Sequence, residues 1–114
     1  MYKCISIKDD LYRIAICYRE CICHLVVFDI YNNRKWECSS KDKSEVSPNV
    51  LQNLDNSTRF EFEGETLKLM MKNQNFSLQR KDWTNEDTLI IETIRIQKTI
   101  VGPLEEISKN EVIE

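Results

Sequence analysis

The residues with the strongest chemical potential lie close together near the start of the chain: Cys21-Ile22-Cys23-His24, with Cys17 four positions earlier. Thiolates and an imidazole are the ligands zinc prefers, and zinc needs four of them converging tetrahedrally. In an extended strand Cys21 and Cys23 project to one face and His24 to the other, and no CxxC knuckle is present. The spacing therefore favours cysteine as a small core hydrophobe over a metal site, and no metal or cofactor is expected. The same alternation works against a Cys23–His24 nucleophile and base, since adjacent strand residues cannot hydrogen-bond side chain to side chain. Cys17 or Cys38 could reach His24 only through tertiary contacts. With one histidine in the chain, acid–base options are few, and there is no nucleophile elbow, Gly-rich phosphate loop or HExxH helix. Glu61, Glu63 and Glu65 could suggest an acidic cluster, but Glu61 and Glu63 alternate with Phe60 and Phe62 as a solvated strand face does. No catalytic residue is expected, and the reading is a non-enzyme.

The elements that carry these residues read as one domain. At 114 residues and 41% apolar content, the chain can bury a single core. A net charge of −3 with interspersed signs gives no strong pull towards nucleic acid, so a DNA contact is at most weak. The five cysteines and a start, Met-Tyr-Lys-Cys, without an apolar signal region lead to an expected reducing setting: intracellular, nuclear or cytoplasmic. No run of 18 apolar residues exists, so no membrane partner is expected, and nothing points to a small-molecule substrate.

Period-two alternation is the main signal. Tyr2 to Ile7, Leu11 to Tyr18, Cys21 to Tyr31 and Lys35 to Ser39 read as a four-stranded meander. Tyr12, Ile14, Ile16 and Tyr18 share one face, and Ile22, His24, Val26, Phe28 and Ile30 share another. A short helix from about Pro48 to Leu54 crosses to a second meander, Arg59–Glu63, Leu67–Met71 and Phe76–Leu78. Thr84 to Val101 winds as an amphipathic helix: Leu89, Ile90, Ile94, Ile96, Ile100 and Val101 fall in an arc of about 160°, with only Ile91 misplaced. Thr84 to Asp87 supply the cap and an acidic first turn, and Gly102-Pro103 stops the helix. Its many isoleucines leave a strand open as the rival reading. The predicted class is mainly β (α+β): about seven antiparallel strands in two meanders forming a sandwich or partly closed barrel, a short helix between them, and a C-terminal amphipathic helix. Residues 1–101 form the β-rich head and 102–114 a helical stub or tail.

The helix is the best functional feature. Ile90, Ile94, Gln97, Val101 and Leu104 keep a 4-3-4-3 spacing, as a coiled-coil seam does. They are the expected interface with a second copy, leaving Leu89, Ile96 and Ile100 for the sheet. Trp36 and Trp83 read first as core plugs and second as candidate partner anchors.

The run His24-Leu-Val-Val-Phe-Asp-Ile-Tyr-Asn-Asn-Arg-Lys-Trp36-Glu-Cys, then Ser44-Glu45-Val46, resembles the head domains of the XLF and PAXX end-joining scaffolds and their relatives, which include centriolar cartwheel heads. Those heads carry a strand ending near an Asp, a turn, a Trp-bearing strand, a helical insertion, a second hairpin group and a helix running into a stalk. The resemblance covers nearly the whole chain as an order of elements. It implies a homodimeric, non-enzymatic scaffold that assembles with other scaffold proteins in non-homologous end joining, a form of DNA repair. The centriolar heads imply centriole assembly instead. The competing class is a pleckstrin-homology-like protein or lipid binding module, also seven strands and a helix, which predicts a monomer.

Overall fold

In a computed structural model, residues 2–7, 12–42, 46–54, 57–96 and 111–113 are described. Their strands are β1 (Tyr2–Ile7), β2 (Tyr12–Arg19), β3 (Ile22–Asp29), β4 (Arg34–Ser39), β5 (Arg59–Glu63), β6 (Thr66–Met70), β7 (Asn75–Lys81) and β8 (Glu111–Ile113). One α-helix, α1, spans Asn85–Ile96. The two meanders read from alternation are both present, and they are not separate sheets. Lys35, Trp36 and Glu37 of β4 pair with Lys81, Arg80 and Gln79 of β7. This antiparallel join gives one sheet in the order β5-β6-β7-β4-β3-β2-β1-β8.

The sheet curls strongly. Tyr12 of β2 meets Phe60 of β5 edge to face at 5.1 Å, although four strands lie between them in the sheet order. Curling turns one face inward around a large core. Ile14, Ile16, Leu25, Val27, Trp36, Leu67, Leu69 and Leu78 meet there, with Val50, Leu51 and Leu54 from the crossover segment. That segment is the short helix expected there, a 3₁₀ helix over Pro48–Asn53; the Asn49 N–H donates to the side chain of its cap, Ser47. Six residues with Pro at the start give too few i→i−4 bonds for an α-turn to gain much over the tighter form.

The second face of the sheet is covered at its centre by α1. Ala15, Cys17, Val26, Phe28 and Ile30 pack with Ile90 and Ile91. Thus β2 and β3 are buried on both sides, which explains their near-continuous apolar runs. Trp36, 2% exposed, is a core residue with Phe62 at 5.5 Å and the Arg34 and Arg80 guanidiniums over its ring. Its reading as a partner anchor is corrected: a side chain already enclosed by its own chain has no face left to offer. Trp83 is half-buried, edge-on to Phe28 at 5.9 Å, with its indole N–H donated to Thr88 Oγ1 at 3.0 Å.

One further expectation changes. Residues 102–114 read as a helical stub or tail, yet Glu111–Ile113 forms a short strand antiparallel to β1. A sheet edge offers backbone partners that a short polar stub lacks. The helix predicted to Val101 is described through Ile96; 97–101 lie outside the described residues.

The β2–β3 hairpin turns in two residues, Glu20 and Cys21, with φ of 53° and 65°. Such a turn matches strand twist but wants Asn-Gly, because a Cβ at positive φ is strained. Replacing Glu20-Cys21 by Asn-Gly is expected to raise stability by about 1–2 kcal/mol, read as a higher urea midpoint at unchanged slope.

Candidate functional site: an ion network beneath the helix

Direct partners in an antiparallel ladder share a face. Cys17 pairs with His24 and His24 with Ser39, so a thiol, an imidazole and a hydroxyl form one row across β2, β3 and β4. Sequence reasoning left this approach of Cys17 to His24 to tertiary contacts; the ladder itself supplies it. The chemistry is nevertheless quiet. Burial pushes the Cys17 thiol up to about 11, so at neutral pH it stays protonated. Burial, then the nearby Arg19 cation, holds His24 below its ordinary value. A neutral thiol beside a neutral imidazole is not the ion pair that makes cysteine nucleophilic. Cys23 and Cys38 lie in the other core and Cys21 is exposed at the hairpin tip. Among the described residues, no three His, Cys, Asp or Glu side chains gather as metal ligands.

On the same face lies a chain of charges. Arg19 Nη2 donates to Glu37 Oε1 at 2.9 Å, and His24 Nδ1 stands 3.9 Å from that oxygen. Glu37 Oε2 is 3.5 Å from Lys35 Nζ. Lys35 Nζ then reaches both oxygens of Asp87, at 3.0 and 2.8 Å. Both side chains of that last pair are 5% exposed. Asp87 also closes the helix start: its Oδ2 accepts from the Thr84 N–H and hydroxyl at 2.8 and 2.9 Å, while its own N–H donates to Thr84 Oγ1. This is a capping box with Asp in the third helical position. Beside the row opens a cleft of about 570 Å³ lined by Arg19, Glu20, Ile22, His24, Lys41 and Glu86.

The Asp87–Lys35 contact fixes how α1 is rotated. At 100° per residue, Asp87, Ile90 and Ile91 share a side, and Leu89 falls opposite. Accordingly Ile90 and Ile91 are 7% and 5% exposed and Leu89 is 68% exposed. The expected assignment is therefore corrected at two positions. Ile90 packs on the sheet instead of facing a second copy, and Leu89 faces outward instead of inward. The cause is that Asp87, polar in any periodicity count, is an inward residue with a buried partner. Ile94 lies within the helix backbone; Gln97, Val101 and Leu104 lie outside the described residues. Periodicity also missed Lys35 and Glu37, although their alternation with Trp36 and Cys38 does put them on the helix side. Glu61 and Glu63 are exposed, and Glu63 pairs with Lys68 at 3.1 Å.

No described helix is long and apolar enough to cross a membrane. Compared with protein-family models, with curated proteins and with solved structures, the chain finds no match.

Removing one member of a buried pair strands the other charge, whereas replacing both by apolar residues does not. Asp87→Asn or Lys35→Met is expected to lose about 3–5 kcal/mol, and Lys35→Met with Asp87→Leu to recover most of it, measured by denaturant unfolding. A thiol reagent at pH 8 is expected to modify Cys21 quickly in native protein and Cys17 only on unfolding, as mass spectrometry of digests will show.

Proposed function

We propose that the chain is a non-enzymatic assembly module, the head of a homodimeric scaffold of the kind found among the end-joining and centriolar proteins it resembles. The observation that carries this reading is the order of elements. A four-stranded meander (β1 to β4), a short helical crossover, a three-stranded meander (β5 to β7) and a helix follow one another as the resemblance implies. Supporting it, the one thiol–imidazole row is held in unreactive form. Two surface features suit partners better than substrates: Leu89 on the outer side of α1 and Phe62 among Tyr12, Phe60 and Trp36, 68% and 48% exposed. The second copy would meet α1 on its outer side, with Leu89 at the contact. Other scaffold proteins and a weak DNA contact would be further partners, in end joining or, as the alternative, in centriole assembly.

Light scattering on the whole chain tests it. A dimer at micromolar concentration that becomes a folded monomer in Leu89→Glu is the expected result. Ile90→Glu, by contrast, is expected to unfold the protein, because burying a carboxylate without a partner is expensive. A chain that stays monomeric at high micromolar concentration contradicts the dimer.

A further inference from the structure

The sheet has two ends, and the sequence treats them differently. At one end β5 alternates the charges of Arg59, Glu61 and Glu63 with Phe60 and Phe62, a pattern that keeps an edge strand from adding another. At the other end β1 reads Tyr-Lys-Cys-Ile-Ser-Ile, with one charge and no proline. β2 pairs with all of Tyr2 to Ile7. On the opposite side β8 pairs with Tyr2 and Lys3 alone, through Ile113 and Glu111, and its register shifts between them. Among the described residues, no strand pairs with Cys4 to Ile7 on that side. In an antiparallel strand alternate residues aim both N–H and C=O at each flank. This stretch therefore holds a row of backbone donors and acceptors that β8 does not cover.

We propose that the outer edge of β1 is a strand-addition site for an extended segment of a partner protein, with β8 as its resident competitor. In such sites backbone pairing supplies the attraction and alternate side chains the selectivity. The resident strand indicates the chemistry: β-branched Val112 and Ile113 stand between Glu111 and Glu114, and Glu111 lies opposite Lys3 in the register. A partner strand of that type, running antiparallel and free of proline, fits. It must be long enough to pair with Cys4 to Ile7 as well as with Tyr2 and Lys3. That length decides the competition. β8 is tethered to its own sheet through residues 97–110, which gives it a high effective concentration at β1. The same strand from a second copy has nothing to offset that advantage. A longer strand from another protein does, because it forms ladder bonds that β8 never makes. The site is a strand edge and uses no residue of α1, so it stands or falls independently of the dimer proposed above.

The probe is a labelled synthetic peptide, Thr-Val-Thr-Val-Glu-Val-Ile-Glu, whose Glu-Val-Ile takes the place of β8 while the residues before it run along Cys4 to Ile7. It is titrated against the full chain and against the full chain carrying both Val112→Pro and Ile113→Pro. Whichever of those two N–H groups faces β1, the double variant lacks it. Fluorescence anisotropy reads affinity, and hydrogen exchange of the β1 amides reads position. The double variant is expected to bind about tenfold more tightly than the unaltered chain, since the tethered competitor is gone. At saturating peptide, alternate amides among Cys4 to Ile7 are expected to gain protection in both chains. N-methylation of one alternate set of peptide residues is expected to abolish binding and of the other set to spare it, because only one set faces β1. Should the double variant unfold, the unaltered chain carries the protection and N-methylation readouts by itself. Absence of binding, protection gained elsewhere than in β1, or indifference to both N-methylated peptides overturns the proposal. So does equal affinity of two folded chains, which would mean that β8 does not hold the edge. A dimer that persists in Leu89→Glu and is lost in the double-proline variant would make a second copy's β8 the occupant, and also overturns it.

Discussion

The contact on which the rest depends is the buried pair between Lys35 in the sheet and Asp87 in the helix. It is not the main source of binding energy for α1. Two fully buried isoleucines supply about 1.5–3 kcal/mol each, while a buried ion pair roughly balances its attraction against lost hydration. What the pair supplies is orientation. A helix with an apolar arc near 160° wide can dock at many rotations at similar cost. Asp87 can meet Lys35 at only one, and the same carboxylate caps the helix through Thr84. Helix start, helix rotation and sheet contact are thereby set by one side chain.

The charged network shapes the site as much as the fold. Arg19, Glu37, Lys35 and Asp87 surround the Cys17–His24 row. Burial favours the neutral thiol and the neutral imidazole in that row. The surfaces left for function are the outer side of α1, the half-open aromatic end of the curled sheet and the cleft beside His24. The two apolar ones suit docking of another protein chain, which is the reading adopted for the whole molecule.

The sheet was largely legible from residue types because its code is local. Tyr12-Arg13-Ile14-Ala15-Ile16 already shows which side chains share a face, and Glu63-Gly64-Glu65 marks a turn where Gly64 takes φ of 59°. The Asp29 turn was legible too: its carboxylate gathers Asn32 and Arg34, which keep it ionised although burial opposes this. What alternation could not supply was pairing over distance. That β4 lies beside β7 and that Asp87 belongs inside both depend on residues far apart in sequence. Leu89 and Ile90 were exchanged for this reason: hydrophobicity ranks them alike, and only a partner 52 positions away from Asp87 distinguishes inward from outward.

The helix rotation is therefore the central claim, and paramagnetic relaxation measures it directly. With a soluble paramagnetic agent added to methyl-labelled protein, the Leu89 methyls should relax strongly while those of Ile90 and Ile91 stay protected. Protected Leu89 methyls with exposed Ile90 methyls would mean that Asp87 does not seat on Lys35, and the account of the helix, its cap and its outer surface would fail together.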